Sequence, residues 1–177
     1  MKSINQGILF SATIAVALLG PINAGAVTRE EMQRLTDAYP VGSVVVCEAF
    51  LEGNGKDRAP MLTKIRGQVS ARKGDVSQLN VSVMYIPTGS SNVTLTMSYK
   101  QTTTIKDEGS LVVIDRDSFK VSMPASPASE PILTKSFVDK LPDGDDIRPF
   151  SSTKITTFPS YVVQSPGESP LHCNKES

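Results

Sequence analysis

The residues that could carry catalysis are few in this sequence. His172 is the only histidine, so a hydrolytic triad or a zinc site would have to use it, and no second histidine exists to share a metal. The chain has no G-x-S-x-G motif, and the segment from Gly53 to Lys56 lacks the spacing of a phosphate-binding P-loop. These patterns indicate no cofactor, and they favour a non-enzymatic role while leaving enzymatic activity open.

Two groups of acidic residues offer the remaining candidate chemistry. Asp115 and Asp117 have the spacing of a general acid and base on one side of a strand, but Arg116 between them favours a solvated turn. Asp139 and the acidic segment 143–146 could offer oxygen ligands to calcium. Because that segment departs from the D-x-[DN]-x-[DN]-G pattern, a polar turn is the simpler interpretation and no metal site is predicted.

A polar, mildly basic set of residues alternates with the apolar positions of three predicted strands. An antiparallel sheet commonly exposes one such face to water, so the pattern by itself is typical of a solvated surface. The same face could bind a polar ligand or an acidic protein. The candidate binding residues are Lys64, Arg66, Arg72, Thr94, Thr96 and Lys100.

The charge balance argues against two classes of partner. The chain carries 18 Lys and Arg against 18 Asp and Glu, which gives a formal net charge of zero. Such a chain lacks the basic footprint that attracts phosphate backbones or anionic lipid surfaces. Nucleic-acid binding is therefore not predicted.

The first 26 residues have the features of a secretory signal peptide. Lys2 supplies a positive charge, an apolar run extends from Ile8 to Leu19, and Ala24 to Ala26 form an A-x-A cleavage site. The run is shorter than the roughly 20 residues that span a bilayer, so no membrane span is predicted. We expect a leader over residues 1–26, a single β-rich domain over residues 27–177, and a periplasmic or secreted protein.

Two cysteines, Cys47 and Cys173, complete the chemically active residues. In an exported chain a single pair predicts one disulfide, and the sequence has no C-x-x-C motif that would indicate a redox site. Cys47 lies in a β-branched run, whereas Cys173 follows a segment rich in Pro, Ser and Gly. The bond is expected to tie an irregular C-terminal tail to an early strand.

The elements that position these residues follow from hydrophobic periodicity. Thr28 and Glu31 form a capping box, and the apolar stripe behind it predicts a short helix ending before Gly42. The chain then changes to a period of two, which is typical of strands. The strand-like segments are 43–50, 65–71, 79–85, 93–99, 111–114, 119–123 and a final pair within 155–163, and residues 132–141 favour a helix.

The strongest of these signals is a hairpin around the turn at residues 87–92. Val81 and Val83 on one side and Leu95 and Met97 on the other alternate with polar residues, so one register places all four in a core. With about seven to eight short strands and no long helical crossover, the sequence predicts a mainly β, antiparallel sandwich or barrel with a short N-terminal helix.

Three functional hypotheses follow. The favoured one is an exported binding or assembly protein that acts through a sheet face or its loops, with an unknown protein or polar ligand as its partner. A second is a carrier that holds a small apolar ligand inside a β-barrel, and a third is a secreted hydrolase with paired carboxylates. The pattern does not determine the oligomeric state. A cavity of several hundred Å³ would distinguish the carrier, and facing carboxylates in a cleft would distinguish the hydrolase.

Overall fold

A computed structural model describes residues 27–53, 59–141, 146–165 and 167–176. It contains two short helices and nine strands, with single 3₁₀ turns at Pro127–Ser129 and Phe150–Ser152. The elements in chain order are α1 (Arg29–Asp37), β1 (Val44–Leu51), β2 (Met61–Lys73), β3 (Val76–Pro87), β4 (Leu95–Ile105), β5 (Gly109–Ser122), α2 (Glu130–Val138), β6 (Asp146–Pro149), β7 (Thr153–Thr157), β8 (Ser160–Val163) and β9 (Leu171–Lys175).

The nine strands form one curved antiparallel sheet that closes almost into a barrel. The strand order is β6-β5-β4-β3-β2-β1-β9-β8-β7, so the two edge strands are consecutive in the chain and are joined by the turn at Phe150–Ser152. This confirms the mainly β, antiparallel prediction, and a barrel-like sheet replaces the sandwich alternative. The described residues contain slightly more strands than the seven or eight expected, because β6 and β9 are short and lacked a clear alternating pattern.

Helix α1 begins and ends as the sequence predicts. The Thr28 hydroxyl accepts a hydrogen bond from the Glu31 backbone N–H at 3.2 Å, and the Glu31 carboxylate accepts one from the Thr28 N–H at 2.9 Å. This capping box satisfies two donors that the first helical turn leaves open. The chain leaves the helix through Gly42, whose φ of 90° favours glycine.

The predicted hairpin register is confirmed. Val81 lies opposite Tyr99, Val83 opposite Met97, and Tyr85 opposite Leu95. The apolar residues of β3 and β4 therefore share the concave side of the sheet. Residues at the intervening positions, including Ser82 and Thr96, lie on the convex side, because successive strand residues point to opposite faces.

Two irregularities in strand pairing correct the sequence interpretation. A shift between Val69 and Ala71 moves Arg72 opposite Ser77, a buried residue on the concave side, and leaves Ala71 exposed. A second shift, between Ser98 and Lys100, lets β5 continue from residue 109 to residue 122. The prediction of two strands around a charged turn at residues 115–117 was wrong, since a bulge absorbs these residues within one strand.

The disulfide between Cys47 and Cys173 is confirmed, and it joins directly opposed residues of β1 and β9. The expectation of an irregular tail around Cys173 was wrong. Pairing with β1 on one side and β8 on the other supplies the backbone hydrogen bonds that local propensity did not indicate.

Several predictions lie outside the described residues. They are the leader over residues 1–26, most of the turn at residues 53–57, and residues 143–145 of the acidic segment 143–146. The helix expected within residues 132–141 is confirmed as α2. Within the described chain, neither helix has the length and apolar character that crossing a bilayer requires.

Candidate functional site

The concave side of the sheet, called here the inner face, is the candidate site. Cross-strand pairing sets its residues in rows, one of which runs from Val69 through Leu79 and Gln101 to Ile114. All inward residues of β4 from Leu95 to Thr103 are half-buried, although β4 lies inside the sheet between β3 and β5. Protein cores are normally close-packed, so this face is incompletely covered.

Helix α1 covers one end of the inner face. Leu35 is only 3% exposed and packs with Tyr39 and Val69 in the central apolar cluster. The Tyr39 ring also meets the Tyr161 ring edge-on at a centroid distance of 6.4 Å. An amphipathic helix is stabilised mainly by burying such a stripe, and the apolar stripe behind the capping box is the sequence signal for it.

Polar contacts fix α1 in this position. The Tyr39 hydroxyl donates to the Pro159 carbonyl at 2.9 Å, and the Lys175 ammonium donates to the Ala38 carbonyl at 2.8 Å. The Arg72 guanidinium donates to the Thr36 carbonyl at 2.6 Å. Since the contacts come from β2, β9 and the β7–β8 turn, α1 is tied to the sheet on several sides.

Helix α2 lies against β5 at another part of the inner face. Phe119 of β5 stacks on Tyr99 at a centroid distance of 5.5 Å and packs against Phe137 of α2 at 6.3 Å. The Thr134 hydroxyl accepts a hydrogen bond from the Val121 N–H at 3.1 Å. No residue of α2 is fully buried, and Ile132 is 73% exposed. The Met123 N–H also donates to the Glu130 carboxylate at 2.7 Å, so polar contacts tie α2 to the end of β5 although its side chains stay partly exposed.

A cavity of about 190 Å³, called here the inner cavity, remains beneath α1. Its apolar walls come from α1 and from inward residues of six strands. Those apolar residues include Met32, Leu35, Val69, Leu79, Ile105 and Val112. An apolar cavity of about 150 Å³ is large enough to bind a benzene molecule. The inner cavity therefore has the size and lining to hold a small apolar group.

A second space of about 450 Å³, called here the outer cavity, lies between β6 and strands β8 and β9. It shares Arg148, Ser152 and Val163 with the inner cavity. Its volume falls within the range of about 300–1,000 Å³ that is usual for ligand pockets. Because the sheet is not paired between β6 and β7, the outer cavity lies where the barrel-like sheet remains open.

Burial keeps the tyrosine side chains of this region in the neutral form. Burial raises the pKa of Tyr39, Tyr85, Tyr99 and Tyr161 above the ordinary value, most strongly for Tyr161. Tyr161 lies beside Tyr39, and a charge on the Tyr39 phenol further raises the pKa of Tyr161. At Tyr99 the positive charge of Arg148 offsets part of the rise caused by burial, and the pKa of Tyr99 stays above its ordinary value.

These shifts predict that the tyrosines of the folded protein ionise at a higher pH than those of the unfolded chain. The four tyrosines are the full complement of the chain, and each is expected to stay protonated in the folded state above pH 10, where an unfolded phenol ionises. The stability they confer is present below pH 10 and is lost as the pH rises further, because the unfolded state then releases protons first. Tyrosinate ultraviolet absorbance should therefore rise together with loss of the circular dichroism signal.

Protein unfolded in guanidinium chloride is the control, and its tyrosines should titrate near pH 10. Ionisation of most tyrosines near that pH with an unchanged circular dichroism spectrum would show that the inner face is open to water.

The predicted outward set lies mainly on the convex side of the sheet, and acidic residues lie next to its basic residues. The Lys64 ammonium is 3.1 Å from a Glu48 carboxylate oxygen. The Arg66 guanidinium is 2.7 Å from a Glu176 carboxylate oxygen. The hydrogen bond from Arg66 lowers the pKa of Glu176 below its usual value. Lys100 lies directly opposite Asp115 across β4 and β5. This arrangement gives a mixed-charge surface rather than a basic patch.

The remaining members of that set are placed as follows. Thr94 donates its hydroxyl hydrogen to the Tyr85 carbonyl at 3.0 Å, and Thr96 lies on the convex side opposite Met84. The placement of Arg72 on the outward face was wrong, because the irregularity after Val69 turns its side chain inward, where it is 16% exposed and lines the inner cavity. The binding role of the set stays a prediction.

Sequence reasoning missed the polar part of the cavity lining. Ser77, Gln101, Thr103 and Ser110 occupy inward positions in strands whose other inward residues are apolar. The signal in the sequence is a polar residue at a position where the alternating pattern calls for an apolar one. A fully packed core excludes such a residue or gives it a hydrogen-bond partner.

The candidate catalytic residues are not assembled into a site. Asp115 and Asp117 are exposed at the β5 bulge, where the Asp117 N–H donates to the Asp115 carboxylate at 3.2 Å. His172 is an exposed residue of β9. Within the part of the chain that the structure describes, no group of three or more His, Cys, Asp or Glu side chains could hold a metal ion.

These features define a class of protein by its architecture: a curved antiparallel sheet with a helix fixed across one end and cavities on its concave side. Comparison of the chain with protein-family models, with curated proteins and with solved structures finds no match.

Proposed function

We propose that the protein is a carrier that binds a small, largely apolar ligand between α1 and the inner face of the sheet. The observation that supports this most directly is the inner cavity under α1, together with the larger outer cavity that adjoins it at Arg148. Ligand pockets are typically concave and mostly apolar, with a few polar groups that orient the ligand. The inner face has this composition.

The affinity that such a site can provide is moderate. Burying a methylene group yields about 0.8 kcal/mol, and a methylene is comparable in size to a water molecule, whose share of liquid volume is about 30 Å³. The inner cavity of about 190 Å³ therefore holds roughly six such groups. Their gross contribution of about 5 kcal/mol corresponds to a dissociation constant near the submillimolar range.

The other two hypotheses receive less support from the geometry. A hydrolase with paired carboxylates would need two acids facing one another across a cleft, whereas Asp115 and Asp117 lie side by side on an exposed bulge. Binding through the convex face would have to compete with the ion pairs that already engage Lys64 and Arg66. Export, which the leader over residues 1–26 predicts, is compatible with the disulfide.

Filling the inner cavity should weaken ligand binding. Thr103→Phe places an aromatic ring in the inner cavity, whereas Thr102→Phe places the same ring on the convex side of the same strand. Hexanol, whose six carbons match the roughly six groups that the inner cavity holds, is expected to shift the amide NMR signals of inward residues such as Val112 in the wild type and in Thr102→Phe. In Thr103→Phe we expect binding to weaken at least tenfold.

Melting temperatures of the two variants provide the folding control. Hexanol shifts confined to the convex face around Lys64, or equal hexanol affinity in both variants, would overturn the proposed site.

A further inference from the structure

Two hydroxyl groups face one another on the wall of the inner cavity. Ser77 of β3 and Thr103 of β4 are directly opposed across the two strands, and both line the inner cavity. Ser77 is 5% exposed and Thr103 is half-buried, so Ser77 in particular is shielded from solvent. Opposed side chains have their Cβ atoms about 5 Å apart, which brings the two hydroxyls within reach of a single bound atom.

The oxygen atom of each hydroxyl already accepts a hydrogen bond from a neighbouring side chain. The Nε of Arg72 donates to the Ser77 hydroxyl oxygen at 3.1 Å, and the Gln101 amide nitrogen donates to the Thr103 hydroxyl oxygen at 3.0 Å. The guanidinium of Arg72 is itself held by its hydrogen bond to the Thr36 carbonyl. These contacts hold both hydroxyl oxygens in place on the cavity wall.

The hydrogen atom of each hydroxyl has no acceptor among the residues that the structure describes. A hydroxyl can donate one hydrogen bond in addition to the bonds that its oxygen accepts. Within the described part of the chain, the side chains of Ser77 and Thr103 only accept. Donation into a hydroxyl oxygen polarises its O–H bond and makes it a stronger donor. The cavity wall therefore presents two hydrogen-bond donors side by side.

We propose that the ligand is an apolar molecule with a carbonyl oxygen, and that this oxygen accepts hydrogen bonds from the hydroxyls of Ser77 and Thr103. This inference rests on the proposed function and adds the chemical class of the ligand. A carbonyl oxygen has two lone pairs in one plane, so it can accept both bonds at once. The apolar part of the ligand then packs against cavity residues such as Leu79 and Val112. A purely apolar ligand of the same shape would leave both donors without an acceptor, which disfavours its binding.

Two probes of matched shape, cyclopentanone and methylenecyclopentane, test this assignment. They differ only in a carbonyl oxygen against a methylene group, and the heavy atoms of each match the roughly six groups that the inner cavity holds. Their affinities are measured by titration followed through the amide NMR signals of inward residues such as Val112. We expect the ketone to bind the wild type about tenfold more tightly than the alkene, which is the contribution of two hydrogen bonds of modest strength.

Removal of each hydroxyl should reduce the preference for the ketone. Thr103→Val replaces one hydroxyl with a methyl group of similar size, and Ser77→Ala removes the other. Each variant is expected to lower the ratio of the two affinities to about threefold, and the double variant to about one. Thr102→Val makes the same exchange on the convex side of β4 and should leave the ratio at its wild-type value. Because the ratio compares two probes in one variant, a general loss of stability affects both alike.

The possible outcomes separate this inference from the carrier proposal. Equal affinities of the two probes for the wild type, or tighter binding of the alkene, would overturn the carbonyl assignment and leave the carrier proposal intact. A ketone preference that persists unchanged in the double variant would overturn the assignment of Ser77 and Thr103 as the donors. Failure of both probes to bind at concentrations well above the submillimolar range would overturn both proposals.

Discussion

Val83→Asp is expected to lower the free energy of unfolding by about 3–5 kcal/mol, the cost of burying a charge without a partner. Val83 is 5% exposed on the inner face and lies between Ile65 and Met97 on the neighbouring strands, so neither cross-strand neighbour can pair with a carboxylate. Domains are stable by only about 5–15 kcal/mol. The variant should therefore melt on the order of 10 °C lower, or not fold at all.

Acidification provides an independent test of this mechanism. Burial raises the pKa of an introduced carboxyl group, so the destabilisation of Val83→Asp should diminish as the pH falls and the group becomes neutral. Thr96→Asp is the matched control, because Thr96 is one residue from Met97 but lies on the convex side. Its cost should stay within about 0.5 kcal/mol. Equal melting temperatures for the two variants would contradict the register of β3 and β4.

Removing the disulfide should have an effect of comparable size. The bond closes a loop with a sequence separation of 126 residues. The chain-entropy model assigns a loop of this length about 5 kcal/mol of stabilisation, which is an upper figure because native strain subtracts from it. We expect the double variant Cys47→Ala, Cys173→Ala to unfold at a markedly lower temperature and denaturant concentration than the oxidised wild type.

Two controls separate the covalent bond from the packing of the side chains. Cys173 is only 1% exposed, so its replacement also removes packing contacts, whereas reduction of the wild type leaves both sulfur atoms in place. The urea dependence of the unfolding free energy should steepen in both cases, because the uncrosslinked unfolded chain exposes more surface. Free thiols in the native, unreduced protein, or an unchanged melting temperature after reduction, would exclude the stabilising role.

The two predictions concern one structural compromise. The inner face supplies the core of the sheet at Val81, Val83 and Phe119, yet around Leu79 and Thr103 the same face leaves space under α1. The disulfide cross-links the adjoining β1–β9 pair, and Val45 of β1 lines the same space. If the carrier proposal is correct, bound ligand should further raise the melting temperature, since a ligand of the folded state stabilises it.

Local rules determined a large part of this protein. The capping box at Thr28 and Glu31 marks the start of α1, because the residues it links are only three positions apart. The alternation around Val83 and Met97 set the register of the β3–β4 hairpin, since a shift of one residue would expose every apolar side chain. The lone cysteine pair allowed one intramolecular connectivity, and the structure contains it.

The candidate site depended on the tertiary structure. The bulge after Val69 turned Arg72 inward, and strand pairing converted the tail around Cys173 into β9. Curvature of the whole sheet then placed Arg148 of β6 and Val163 of β8 around one cavity. A period of two establishes which residues share a side of a strand, but bulges, curvature and the closure of a sheet arise from contacts between residues far apart in sequence. The cavities and the arginine between them are products of those distant contacts.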